Sequence, residues 1–273
     1  MKERCPLRAG VNARRGVARR ACRSFRSGDA ALARIGCLCV LLAALACVSG
    51  PLRAQSSTIS GAVALGSQLV DRGLAITPAT PILQAAASWT SASGWSAGVS
   101  GAVQTRSPDH LAEGLAQVSR AWMLSSDWQM QADLLYYDYP GDDRARLFDR
   151  TEAGVNWIYR DVLTFGLSAS SMTHGANHDP RGAADVDFHW PLAWHFALSL
   201  GAGVAQYLVS PYDSYGYIHR PPPGVYGYGH AGVLWSDGAW RIELDRIATD
   251  PAITRHGGNL VAQPWVGTVT WSF

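Results

Sequence analysis

Trp265-Val266-Gly267-Thr268-Val269-Thr270-Trp271-Ser272-Phe273 ends the chain. Trp265, Gly267, Val269, Trp271 and Phe273 fall on one parity, and Val266, Thr268, Thr270 and Ser272 on the other. Alternate residues of a β-strand point to opposite faces, so this stretch is a strand with an aromatic face and a hydroxyl-rich face. The same period recurs upstream. Trp240, Ile242 and Leu244 oppose Arg241, Glu243 and Asp245. Trp128, Met130, Ala132 and Leu134 oppose Gln129, Gln131 and Asp133. Val186, Phe188 and Trp190 oppose Asp185, Asp187 and His189. Trp194, Phe196, Leu198, Leu200, Ala202 and Val204 oppose His195, Ala197, Ser199, Gly201 and Gly203.

The tryptophans decide which way the apolar faces look. Ten of the eleven flank a short turn or the end of the chain: Trp89 and Trp95, Trp122 and Trp128, Trp157, Trp190 and Trp194, Trp235 and Trp240, and Trp271. Indole favours the boundary between hydrocarbon and water, and a ring of Trp at one level is the girdle of a transmembrane β-barrel. In such a barrel the apolar faces look outward to lipid and the polar faces line the lumen. Twelve alternating segments are expected, near 58–70, 82–90, 94–105, 111–123, 128–139, 149–159, 162–173, 182–190, 193–209, 224–235, 239–248 and 259–273. Every second connection is short (91–93, 124–127, 160–161, 191–192, 236–238). The others are longer: 71–81, 106–110, 140–148, 174–181, 210–223 and 249–258. Short turns at one end and long loops at the other are the asymmetry of outer-membrane barrels, with an even strand count placing both termini on the short-turn side. Tyr136, Tyr137, Tyr139, Tyr207, Tyr212, Tyr215, Tyr217, Tyr226 and Tyr228 gather towards the long-loop ends and are expected to form the outer girdle.

Residues 1–54 have a different composition. They hold eleven of the 23 basic residues but only two of the 21 acidic ones, followed by an apolar run of about 14 residues, Ile35 to Val48, and a small-residue exit ending at Ala54. That order reads as a secretory signal peptide, because a spanning helix needs roughly 20 apolar residues; an uncleaved anchor is the other reading. All five cysteines lie here, so residues 55–273 carry no disulfide and no Cys-metal site. The remainder has 12 basic residues, all Arg, against 19 acidic ones, a net charge of −7. A nucleic-acid partner, which wants a basic face, is not expected.

Ser60-Gly61-Ala62-Val63-Ala64-Leu65-Gly66-Ser67, Arg72-Gly73-Leu74 and Pro81-Ile82-Leu83-Gln84-Ala85 resemble the opening of the TorF-like porin family. Gly94-Trp95-Ser96-Ala97-Gly98 and Tyr136-Tyr137-Asp138-Tyr139-Pro140-Gly141 are similar to its next hairpin and to a tyrosine-rich strand end. The resemblance implies a small outer-membrane barrel acting as a diffusion channel, without catalytic residues. The last strand resembles the terminal signal read by the barrel-assembly machinery, with Trp271 and Phe273 as its aromatic residues.

No catalytic, cofactor-binding or metal-binding residues are expected. His174-Gly175-Ala176-Asn177-His178-Asp179 offers two imidazoles and a carboxylate, but histidines four apart face one way only on a helix, and this segment reads as a solvated loop. The lumen face is the expected functional surface. It carries Asp133, Glu152, Asp185, Asp187, Glu243 and Asp245, with Arg241 as their clearest basic partner. Either these side chains line a hydrated pore, or they pair into a cluster that closes the barrel, since unpaired buried charge is costly. The expectation is an all-β, antiparallel transmembrane β-barrel of about twelve strands in the outer membrane of a Gram-negative cell, surrounded by lipid, passing small hydrophilic solutes or ions with a preference for cations. A closed barrel acting as an adhesin or structural protein through its loops is the alternative. A lipid-modifying enzyme with a Ser/His pair in the wall is a third.

Overall fold

The computed structural model describes residues 57–141, 143, 145–174, 178–208, 224–250 and 260–273. The expected leader, 1–54, and the 210–223 loop with Tyr212, Tyr215 and Tyr217 lie outside the described residues. Twelve strands close into an antiparallel barrel: β1 (Thr58–Gly66), β4 (Ile82–Thr90), β5 (Trp95–Gln104), β6 (Ser107–Met123), β7 (Trp128–Asp138), β8 (Arg150–Tyr159), β9 (Leu163–Met172), β10 (Arg181–Pro191), β11 (Phe196–Gln206), β12 (Val225–Asp237), β13 (Trp240–Thr249) and β14 (Trp265–Ser272). Two further strands, β2 (Val70–Asp71) and β3 (Leu74–Ala75), pair only with each other as a sheet. Each barrel strand pairs with its neighbour in sequence, and the seam joins β1 to β14 in the register Ala62↔Ser272 to Gly66↔Thr268. Closure leaves no strand edge unpaired in lipid, which is the condition for a sheet to span a bilayer. Beyond the paired register, Phe273 N–H donates to Gly61 O (2.9 Å) and Gly61 N–H to Phe273 O (2.8 Å), extending the seam to the final residue.

The outer face is apolar. Ile59, Val99, Leu134, Phe165, Val204 and Leu244 all stand exposed on it, Leu134 at 58% and Leu244 at 51% of full exposure. Trp89, Trp95, Trp128, Trp190, Trp194, Trp240 and Trp271 are exposed at the short-turn end. Arg120 sits there between two of the indoles, its guanidinium carbon 5.3 Å from the Trp95 ring centre and 5.1 Å from that of Trp122. In water such a surface would be an aggregation liability. On a closed antiparallel barrel it is the lipid-facing belt and interfacial girdle of an outer-membrane protein.

Four sequence expectations need correction. Trp194 and His195 are not strand residues: both adopt left-handed φ (57° and 67°) in the turn before Phe196, so β11 begins later than its apolar run suggests. The expected 106–110 loop is mostly strand, because β6 starts at Ser107 and absorbs register shifts between Ala102 and Gln104. The segment after Gly66 does not extend β1 but turns inward. The tyrosine girdle is also absent among the described residues. Tyr136 faces out, whereas Tyr139 and Tyr226 are fully buried in an internal cluster with Leu74, Phe148 and Met172, against which Tyr137, Tyr207 and Tyr228 pack. Strand parity explains it: where Tyr136 points to lipid, Tyr137 must point to the lumen.

Candidate functional site: the lumen and its inward hairpin

The inward segment is built by its turn. Val70 pairs with Ala75 and Asp71 with Leu74, leaving Arg72 and Gly73 as the two central residues. Both have positive φ, 47° and 76°, the requirement of a type I′ hairpin turn. Gly73 is needed twice over. Its φ favours glycine, and a Cβ there would come within 2.7 Å of Thr249 Oγ1 and 2.9 Å of Tyr228 Cβ on the barrel wall. The base of the hairpin is tied by Gln68 Nε2 to Thr77 O (2.9 Å) and by Ile76 N–H to Leu69 O (3.0 Å). Leu69, Leu74 and Ile76 bury themselves in the internal apolar cluster at the long-loop end. The hairpin thus plugs part of the mouth with a small hydrophobic core and carries its polar tip into the lumen.

The tip is held by charge. Arg150, at the start of β8, is fully buried; its Nη2 lies 2.8 Å from Asp71 Oδ2 and its Nε 3.0 Å from Glu152 Oε2. Its guanidinium carbon stands 3.9 Å from the centre of the Tyr137 ring, a stacking that suits a planar, delocalised cation. Arg72 pairs with the other oxygen of Glu152 and donates from Nη2 to Ser168 Oγ at 2.9 Å. Ser170 Oγ donates to Glu152 Oε2 at 3.2 Å. Two arginines and two acids with fixed partners satisfy one another, which is how buried charge is tolerated.

Two polar cavities, of about 290 and 430 Å³, adjoin this tip, and Arg72 and Asp187 line both. The first is also lined by Asp133, Glu152 and Asp185; the second by His189, Ser199, His230, Glu243 and Asp245. Of the residues singled out from sequence, six therefore face lumenal cavities. Arg241 is half-exposed and pairs with Glu243, Nη2 to Oε2 at 3.1 Å, but lines neither cavity. The sequence reading missed Arg72 and Arg150. Arg72 sat in a segment read as an outer loop, and Arg150 at a strand boundary where parity is hardest to fix.

Those six acids divide into two kinds. Glu152 and Glu243 each have an arginine partner. Asp133, Asp185, Asp187 and Asp245 have none within 4 Å among the described residues. Asp133 Oδ2 accepts from Asn156 Nδ2 at 2.9 Å, and Asp185 accepts from the Tyr228 hydroxyl. Ser199 Oγ lies 3.4 Å from His189 Nε2 and 3.3 Å from His230 Nε2, and Ser199 is fully buried. The Ser199 hydroxyl thus stands between the two imidazoles. At the 174–179 segment, His174 Nδ1 lies 3.0 Å from Asp149 Oδ2 and His178 Nδ1 lies 2.6 Å from Met172 O, so the two imidazoles serve separate partners; residues 175–177 lie outside the described residues. Among the described residues no group of three or more His, Cys, Asp or Glu side chains could hold a metal ion.

No family model and no curated protein match the chain. Solved porin structures do. A NanC porin structure is 11% identical, with 79% of this chain and 99% of that chain covered and a TM-score of 0.49. A KdgM porin structure is 7% identical, covering 78% and 98%, with a TM-score of 0.43. OprD of Pseudomonas aeruginosa is 11% identical, covering 77% and 66%, with a TM-score of 0.36. The assignment as a closed outer-membrane-type barrel rests on the strand pairing and the lipid-facing belt of this chain itself.

Proposed function

We propose that the barrel is an outer-membrane channel for passive diffusion of small hydrophilic solutes, with a preference for cations. The observation that carries this reading is the polar lumen on either side of the Arg72 tip, where four aspartates lack a basic partner among the described residues. Unpaired carboxylates are tolerated where water reaches them, and a carboxylate-lined narrow passage favours cations. Selectivity in such a channel is filtering by bore and charge, with no bond made or broken.

A closed barrel acting through its long loops is the second reading. The apolar cluster of Leu74, Ile76, Tyr139, Phe148 and Tyr226 at the long-loop end favours it. Conductance in planar bilayers under a salt gradient separates the two. Steady current with a cation-selective reversal potential, weakened by Glu243→Gln and Asp245→Asn, supports the channel. A correctly folded barrel that passes no current sinks it and moves the function to the loops.

A further inference from the structure

Each of the four lumenal aspartates that lack a basic partner among the described residues faces a glycine across the sheet. Asp133 pairs in register with Gly154, Asp185 with Gly203, Asp187 with Gly201 and Asp245 with Gly232. The two lumenal glutamates with arginine partners face leucines instead, Glu152 opposite Leu135 and Glu243 opposite Leu234. The match is spatial as well as topological. A Cβ on Gly154 would come 2.5 Å from Asp133 Oδ1; one on Gly203 would come 2.6 Å from Asp185 Oδ1 and 2.5 Å from Tyr228 Cζ, and one on Gly201 2.5 Å from Asp187 Oδ1 and closer still to His230 Cε1. On Gly232 it would collide with Asp245 Oδ1 and with the Leu244 carbonyl. Each carboxylate therefore lies across the neighbouring strand in space that a side chain would fill, alone over Gly154 and shared with the His230 ring over Gly201, the Tyr228 ring over Gly203 and the Leu244 carbonyl over Gly232.

We propose that Gly154, Gly201, Gly203 and Gly232 determine the bore and the placement of charge in the channel, by letting the aspartates opposite lie flat against the wall. This deepens the channel reading and rests on it for its functional consequence. An aspartate has only two side-chain torsions, so a methyl in its resting space must turn the carboxylate off the wall and into the lumen. The glycines thus keep the acids beside the path of a solute rather than across it. Where the acid is held by an arginine, the opposite residue is free to be large, as Leu135 and Leu234 are.

Gly154→Ala is the sharpest test, because the three atoms nearest its Cβ all belong to Asp133. Gly66→Ala is the control: it faces Thr268, and its nearest neighbour would be 3.8 Å away. The full protein, extracted from membranes, is labelled with a water-soluble carbodiimide and an amine, and the modification of Asp133 is followed by mass spectrometry. The expected result is a severalfold faster labelling of Asp133 in Gly154→Ala, and of Asp187 in Gly201→Ala, with Gly66→Ala unchanged. In bilayers the same two variants lower the unit conductance. Unchanged labelling in both variants overturns the proposal even if the wild type conducts. A wild type without conductance overturns the channel reading, while the labelling still decides whether the glycines hold the carboxylates down. If Gly154→Ala assembles poorly, the double variant with Asp133→Ala restores assembly; failure to restore it also overturns the proposal.

Discussion

Arg150 on the barrel wall and Asp71 on the inward hairpin form a buried ion pair, Nη2 to Oδ2 2.8 Å, that fastens the hairpin tip inside the lumen. The pair crosses from β2 to β8 and shares its arginine with Glu152. Arg150→Met leaves Asp71 without its cation and removes one of two from Glu152, and breaking a buried pair in this way costs about 3–5 kcal/mol. Asp71→Asn is milder, about 1–2 kcal/mol, because an acceptor remains for the guanidinium. Urea unfolding of the barrel in lipid vesicles measures both. Asp71→Asn should also loosen the tip without collapsing the barrel, seen as a larger and noisier current. A trace from Asp71→Asn unchanged from a conducting wild type would show that the hairpin does not border the ion path.

The wall of this barrel was legible in the sequence because a two-residue period is set by the backbone alone. The strands around Leu134, Val186 and Leu244 could be phased from their apolar parity, and the phase placed Asp133, Asp185 and Asp245 on the inner face. The hairpin was not legible. Leu69, Leu74 and Ile76 read as a strand end and an outer loop, because burial inside a barrel mouth leaves no periodic mark. The tyrosines misled for a related reason: Tyr137 and Tyr226 have the chemistry of an interfacial girdle, yet parity turns them inward, where they pack on the hairpin. The aspartate–glycine pairing needed the register between strands, which a single sequence does not display.

Leu244 stands on the outer face in the middle of β13. A charged residue on a lipid face is penalised by depth, about 2–4 kcal/mol for Arg at the midplane. Leu244→Arg should destabilise the barrel in vesicles by that order. On an ordinary wet surface the same change stays within about 0.5 kcal/mol. Urea midpoints in vesicles decide it, and a neutral outcome would contradict the lipid-facing assignment of this strand.

Asp149 precedes β8 at the long-loop end, where Oδ1 accepts the Tyr139 backbone N–H at 2.7 Å. Burial pushes its carboxyl above the ordinary value of 3.8. A raised carboxyl binds its proton more tightly when folded than when unfolded. Its contribution to stability is therefore fully present below the ordinary value and is lost as the pH rises through the folded value. Asp149→Asn keeps an acceptor for Tyr139 and removes the buried charge. Relative to wild type, the variant should gain stability from acid to neutral pH, with the gain confined to the window above 3.8. Unfolding midpoints at several pH values check this, and a gap that narrows towards neutral pH would mean that His174, 3.0 Å from Oδ2, governs the site instead.

Phe273 sits at the seam and is expected to serve as an assembly signal, and the two can be separated. Its backbone exchanges two hydrogen bonds with Gly61 at the seam, and its ring lies over Gly61, where a Cβ would meet Cε2 at 2.6 Å. Its ring also lies tilted against Trp271, 4.8 Å between centres, on the last strand expected to be read by the assembly machinery. Phe273→Ser preserves the backbone bonds and removes the ring. Spontaneous refolding into vesicles should then proceed with a stability loss of at most about 1–2 kcal/mol, since one exposed aromatic contact is removed. Assembly in cells should fall much further, measured as the folded fraction in the outer membrane. Equal losses in both settings would assign Phe273 to closing the seam, and equal assembly in cells would remove it from the signal.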